Sequence, residues 1–318
     1  MLAMEFSTSD LARLRFAISP LFELWQSIRA LQSPASTAIH RSWIVETSEE
    51  TRDLDLQALY ALQPPRGITP DFIHPPPTSP LTDLDDELER MLSTPRGRVS
   101  TDMEHSYGDS VPPVLKELVT NPERALATLA ETLRDYWARA IAPHWDRILA
   151  VLESDVLHRA RQQAAGGAHR LFGGIHETVR FSEHRLEIDK PWDCSIALDG
   201  QGLLLVPSAF IWPNVAVIDK QPWQPTLIYP AHGGALLWEP PPSPSEALIA
   251  LMGPRRARVL NVLDEPRSTT ELARLLAVPA ASVSQHLTVL RNAGLVTRQR
   301  VGRVVLYRRS SKGDLLER

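Results

Sequence analysis

The spacing of apolar and polar residues changes twice along the chain. As far as about residue 166 the rhythm is helical. "FSTSDLARLRFAISPLFELWQSIRALQ" predicts a short strand, a capped helical turn from Ser9, and a helix from Ser19 or Pro20 with Leu21, Leu24, Trp25 and Ile28 on one face. "QPPRGITPDFIHPPPTSP" is too rich in proline to be anything but an extended loop, and Thr82 is expected to cap the helix "DLDDELERML". Asn121-Pro122-Glu123 opens a long helix carrying Leu126, Leu129, Leu133 and Trp137; Pro143 starts or kinks the next, which reaches Gly166-Gly167. After about residue 184 the runs shorten to "HRLEID", "CSIALDGQGLLLVPSAF", "NVAVID" and "TLIYPAHGGALLWE". Breaks at Asp199-Gly200 and Gly233-Gly234 resemble hairpin turns, so an antiparallel sheet of about five strands is expected. Residues 1–239 then form a domain in which helices cover one face of a sheet, and the chain as a whole is α+β.

The third rhythm is compact. "PRRARVLNVLDEP" places Val259, Leu260, Val262 and Leu263 on a helix opened by Pro254. "STTELARLLAV" starts with a Ser/Thr cap near Glu271, turns Leu272, Leu275 and Leu276 inward, and stops at Val278-Pro279. In "ASVSQHLTVLRNAGL", Val283, Leu287 and Leu290 fall at i, i+4 and i+7 and must face a core. Ser282 and Gln285 are then expected nearly opposite that core, with Ser284, His286, Thr288 and Arg291 flanking it. Gly294 supplies a left-handed end. "LVTRQR", a turn at Val301-Gly302 and "RVVLYRRS" make a two-stranded ribbon whose exposed side is expected to carry Arg298, Arg300, Arg303 and Arg308. Two helices joined by a tight turn and followed by a basic hairpin make a winged helix-turn-helix over residues 247–318. In that architecture the second helix enters the major groove and the wing tracks phosphate. The candidate DNA-binding residues are Ser282, Ser284, Gln285, His286, Thr288, Arg291, Arg298, Arg300 and Arg303.

Charge sharpens this division. Residues 253–318 hold thirteen Arg and Lys against five Asp and Glu, a net of +8, which leaves −12 for residues 1–252 of the overall −4. An acidic body joined to a basic module places the polyanion contact on the module alone. The proline-rich segment 240–246, within "EPPPSPSEA", is the expected linker. No apolar run reaches the roughly 20 residues of a membrane helix, and "MLAMEFSTSD" has no basic-then-apolar signal, so a soluble, cytoplasmic protein with no membrane partner is expected. One cysteine, Cys194, excludes an intrachain disulfide and a multi-cysteine metal cage.

The segment "STTELARLLAVPAASVSQHLTVLRNAGLVTRQRVGRVVLYRRS" resembles the winged helix-turn-helix of ArsR-type bacterial transcriptional regulators, through "SVSQHLTVLRNAGLV" and the wing "GRVVLYR". The resemblance covers about the last fifth of the chain. It implies a homodimeric repressor on a two-fold operator in double-stranded DNA, nucleoid-associated when bound. The family's paired cysteines are missing from "TELARLLAV", and "SKGDLLER" leaves little room for an acidic and histidine site after the wing, so no metal site of the family's usual kind is expected. The N-terminal region resembles that of long ArsR-type regulators in "SDLARLRFAISPLFELWQSIRAL" and "LIYPAHGGALLWE".

Other constellations are weaker. His169, His176, Glu177 and His184 could suggest zinc, but their spacing across a helix–loop–strand junction fits no compact ligand pattern. The acidic runs "TSEETRDLD" and "DLDDELE" belong on solvated helix faces, and no nucleophile elbow, phosphate-binding loop or HExxH motif appears, so neither a catalytic residue nor a cofactor is expected. Trp192, Trp212, Trp223, Tyr229 and Trp238 all fall in the strand-rich section and are the candidate lining of a pocket for a small organic effector. The competing class is a small-molecule-binding or enzymatic domain whose winged helix mediates protein contacts. Gln285, Arg291 and the arginine-studded wing favour regulation of transcription.

Overall fold

The computed structural model describes residues 1–33, 38–65, 67–238, 244–264, 266–301 and 304–316. The chain splits into two compact units, one formed by Met1–Trp145 and Val151–Leu236, the other by Asp146–Ala150 and Leu237–Arg318.

The first unit is α+β. Its leading helices are α1 (Thr8–Ala12), α2 (Pro20–Gln32), α3 (Arg41–Glu50), α4 (Gln57–Leu62), α5 (Leu84–Leu92), α6 (Arg96–Tyr107), α7 (Lys116–Thr120) and α8 (Pro122–Tyr136). A longer helix, α9 (Trp145–Phe172), is broken at Gly166-Gly167, where Gly167 takes φ 62° and ψ −157°. Two of the expected caps move. Ser7, not Ser9, caps α1 through a reciprocal pair with Asp10, and Asp83, not Thr82, caps α5 by accepting from the Asp86 amide at 2.8 Å. Thr82 is turned inward instead and donates to Glu87 at 2.8 Å. Ser19 caps α2, and Pro20 occupies its first turn as expected.

The strands are β1 (Leu2–Glu5), β2 (Arg15–Phe16), β3 (Val179–Ser182), β4 (Arg185–Ile188), β5 (Cys194–Ala197), β6 (Leu204–Ser208), β7 (Ala216–Ile218) and β8 (Thr226–Pro230). They form two mixed four-stranded sheets, β3-β4-β1-β5 and β2-β6-β8-β7, and not one antiparallel sheet. The N-terminal segments cause the difference. β1 inserts antiparallel to β4 and parallel to β5, while β2 adds parallel to β6, which is itself parallel to β8. β6 is buried at every position and β8 at all but its last, the continuous apolar signature of strands covered on both faces. The tight hairpin lies between β3 and β4, at Glu183 (φ 49°) and His184 (φ 68°), without the glycine that usually marks such a turn. Asp199-Gly200 links β5 to β6 in a different sheet, and Gly233-Gly234 leads into a short 3-10 turn.

Several polar groups buried inside this unit are paired. Trp25 Nε1 donates to the Ile73 carbonyl and Trp43 Nε1 to that of Ala140, both at 2.9 Å. Glu87 accepts from Ser19 Oγ and the Leu21 amide, and Glu23 accepts from the Ala209 amide through both oxygens, at 3.1 and 3.0 Å. Both glutamates are fully buried, and burial pushes Glu23 up to about 8 and Glu87 to about 7.

The second unit contains α10 (Glu246–Met252), α11 (Pro254–Asn261), α12 (Thr269–Leu276), α13 (Ala280–Asn292) and α14 (Ser311–Leu316), with strands β9 (Arg267–Ser268), β10 (Val296–Val301) and β11 (Val304–Arg309). Leu260, Leu263, Leu272, Leu276, Val283, Leu287 and Leu290 share one core. Ser268 caps α12 and Glu271 reaches back to the Ser268 amide, the reciprocal box expected there. Ala277 turns left-handed (φ 52°) between α12 and α13. Gly294 (φ 74°) ends α13, with the Leu295 amide returning to the Leu290 carbonyl at 2.9 Å. β9 joins β11 as a third strand, which residue pattern alone did not indicate. Of the expected linker, residues 240–243 lie outside the described residues.

Candidate nucleic-acid interface and N-terminal cavity

α13 presents its polar row as a consequence of what its apolar row must do. With Val283, Leu287 and Leu290 in the core, Ser284, Gln285 and Thr288 stand exposed. The Thr288 hydroxyl donates to the Ser284 carbonyl at 2.9 Å. Ser282 departs from expectation. It is half-buried, because it precedes Val283 by about 100° and so flanks the core instead of opposing it. Its hydroxyl sits 3.4 Å from His286 Nε2. His286 and Arg291 are also half-buried, the latter in the last turn of the helix, where a cation suits the dipole.

In the wing, Arg298 pairs with Tyr307 and Arg300 with Val305, so both arginines project from one face of the ribbon and both are exposed. Arg308 pairs with Thr297 and therefore projects from the other face, a correction forced by the period of two along a strand. Arg303 lies outside the described residues. Arg309 and Arg267 hold the domain together. The first donates to the Asn261 carbonyl and meets Asp314 at 3.1 Å; the second donates to the Val262 carbonyl at 3.0 Å.

Two basic residues outside the predicted set, Arg255 and Arg256, join this surface. Burial first, then the positive charges of Arg256 and Arg255, hold His286 below its ordinary 6.5, which puts the exposed start of α11 beside the polar row of α13. His286 is thus neutral at neutral pH and can offer either an N–H or a lone pair. The sequence signal of Arg255 and Arg256 is the run "PRRAR" at the start of α11.

The aromatic set does not gather in one place. Tyr229 is fully buried and donates to Asp155 at 2.6 Å, Trp223 packs half-buried beneath the Arg98 guanidinium at 5.9 Å, and Trp212 is 41% exposed. Trp238 is half-buried and falls in the stretch counted with the second unit. Only Trp192 lines the cavity of about 500 Å³ found within the first unit. That cavity is built by α2, α6, the loop before Phe72 and the segments around β5 and β7, with Ile228 of β8 also at its wall. Of the histidine candidates, His176 is bound at both ring nitrogens, to Thr178 at 2.7 Å and the Pro213 carbonyl at 3.0 Å, while His169, Glu177 and His184 are exposed. Among the described residues no group of three or more His, Cys, Asp and Glu is placed to hold a metal ion, and no helix is long and apolar enough to cross a membrane.

The second unit is a winged helix-turn-helix: α12, a left-handed turn, α13 and the β10–β11 wing occur in that order around a single core. Residues 251–299 match a helix-turn-helix domain family, and residues 101–235 match a family of unknown function, DUF5937. The chain is 47% identical over 75 residues to the HTH-type transcriptional repressor SmtB of Mycobacterium tuberculosis, covering 22% of this chain and 56% of that protein. It is 39% identical over 64 residues to the HTH-type transcriptional regulator NmtR of the same organism, covering 20% and 53%. The chain thus spans about half the length of each relative, and no solved structure matches it. The C-terminal domain is thus similar to the winged helix-turn-helix of these ArsR-type regulators, and a large N-terminal domain precedes it.

Proposed function

We propose that this protein is a DNA-binding transcriptional regulator. It acts as a homodimeric repressor in the cytoplasm and leaves its operator when a small organic effector occupies the N-terminal unit. The observation that carries this reading is the exposed row Ser284, Gln285 and Thr288 on α13, set in the same unit as the exposed wing cations Arg298 and Arg300. A helix with an uncharged, hydrogen-bonding face can read base edges, and flanking arginines can hold phosphate. Arg255 and Arg256 extend the same positive surface. The N-terminal unit supplies the two-fold partner in this reading, since α14, six residues with Leu315 68% exposed, offers too little apolar surface for a dimer. Its cavity supplies the effector site, with Trp192 at the wall.

A genome-wide protection footprint tests the reading. Protected sites are expected to be two-fold symmetric, with half-sites about 34 Å or a multiple apart. Single, asymmetric sites, or no sequence preference at all, would count against a dimeric operator-binding protein.

A further inference from the structure

The cavity of the first unit has two ends of different chemistry. At one, Arg98 is shared by Asp71 (3.4 Å) and Asp102 (3.0 Å), and Asp219 lies near Lys220 and accepts from Cys194 Sγ at 3.8 Å. There the three carboxylates Asp71, Asp102 and Asp219 face the two cations Arg98 and Lys220. The other end differs. Arg29, largely buried, donates through Nη2 to Thr69 Oγ1 at 3.1 Å, and its Nε has no partner. Lys190 donates to the Val215 carbonyl at 2.8 Å. Among the described residues neither forms an ion pair with a carboxylate, and the charge of Arg29 acts unfavourably on both Lys190 and His74.

Two further groups wait at this end. Gln63 is fully buried. Its carbonyl oxygen Oε1 accepts from Thr69, while its amide nitrogen Nε2 has no partner. His74 is 6% exposed and stacked on Phe22 at 5.0 Å, and its Nδ1 has no partner. All four residues line the cavity, whose apolar wall includes Phe22, Ile68, Val217 and Trp192. Partly buried cations without a counter-charge and buried polar atoms without a partner are both costly in an empty site, and one anionic, hydrogen-bond-accepting head would relieve them together.

We propose that the cavity binds a small organic carboxylate, its head held by Arg29 and Lys190 with Gln63 Nε2 as a further donor, and its apolar body laid against Phe22 and Trp192. The inference rests on the effector-bearing reading above and gives that effector a chemical class. A matched end would accept a cation or a neutral molecule as readily; the end formed by Arg29 and Lys190 is unbalanced toward positive charge, and the carboxylates Asp71, Asp102 and Asp219 of the lining lie at the other.

Calorimetric titration of the full chain with benzoate, phenylacetate and octanoate, each against its amide and amine counterparts, tests the assignment. At least one carboxylate is expected to bind saturably, with its amide and amine about tenfold or more weaker. Arg29→Met and Lys190→Met are each expected to raise its Kd roughly ten- to a hundredfold, the range for a lost charge-assisted hydrogen bond. A merely structural arginine would lower the thermal midpoint when removed. Arg29→Met is instead expected to leave the midpoint of the ligand-free protein equal or higher, because it deletes an uncompensated buried charge. Amines binding as tightly as acids, unchanged carboxylate affinity in both variants, or no saturable heat from any acid up to about 10 mM overturns the proposal. Operator release is read in parallel. A carboxylate that binds in an Arg29-dependent way without releasing DNA upholds the site and removes the effector role from it.

Discussion

Raising the pH from 6.5 to 8.5 is expected to destabilise the first unit by something on the order of 3 kcal/mol. Glu23 is the largest contributor. Its folded value of about 8 lies well above the 4.5 of an exposed glutamate, because burial disfavours the carboxylate more than Ser208 and the Ala209 and Phe210 amides favour it. Between those two values the folded state keeps a proton that the unfolded chain has released, so rising pH favours unfolding. Asp71, raised to about 7 by burial and by Asp102, and Glu87, raised to about 7 by burial, act in the same direction and finish near pH 7. His40 and His74, both pushed down to about 4 by burial, have the opposite sign, mostly below 6.5, where the unfolded imidazole is largely charged. Above 6.5 the carboxyls dominate. Urea unfolding followed by tryptophan fluorescence suits the test, since every tryptophan except Trp238 falls in the first unit. Glu23→Gln, neutral at every pH, should remove most of the slope. A stability that is level or rising from pH 6.5 to 8.5 is incompatible with this account.

Truncating Leu287 to alanine is expected to cost the winged domain about 2–5 kcal/mol. Leu287 is fully buried on α13, between Val283 and Leu290, in the core that also holds Leu260, Leu272 and Leu276. A domain of this size has only a few kcal/mol to lose. Leu287→Ala should therefore abolish DNA binding by unfolding α13, with fast amide exchange across the second unit and an unchanged fluorescence spectrum from the first. Thr288, the next residue, is exposed, and Thr288→Ala should alter stability by no more than about 0.5 kcal/mol. If the two variants lose stability equally, the orientation of α13 is wrong.

The contrast between these neighbours also explains what could be read from the residues alone. In the second unit the decisive contacts are short-range. Val283, Leu287 and Leu290 fix the orientation of a helix, Ser268 and Glu271 fix where the preceding one starts, and Gly294 fixes where α13 stops, so the winged helix was legible almost element by element. The differences there are local, too: Ser282 flanks the core where the pattern predicts it nearly opposite, Arg308 lies on the other face of the wing, and Arg255 and Arg256 add to the basic surface. The first unit depends on long-range pairing. β1 aligns Leu2 with both Ile188 and Cys194, and β2 aligns Phe16 with Leu205, registers that no local pattern announces. The Glu183-His184 hairpin carries no glycine, and so gave no turn signal. The cavity draws on residues as far apart as Leu2, Arg29, His74, Asp102 and Lys190. The aromatic residues along the strands consequently point to Trp192 alone and carry no sign of the charged end.

The central claim is that α13 reads sequence while the wing holds phosphate, and one comparison addresses it directly. Anisotropy titrations of the full chain, Gln285→Ala and Arg300→Ala are run on a footprinted duplex and on a random duplex over a range of salt. Gln285→Ala is expected to lose about 1–3 kcal/mol on the footprinted site and little on the random one. Arg300→Ala should weaken both alike and reduce the salt slope by about 0.9. An equal loss on both duplexes for Gln285→Ala, with its salt slope reduced in the same way, would contradict the account.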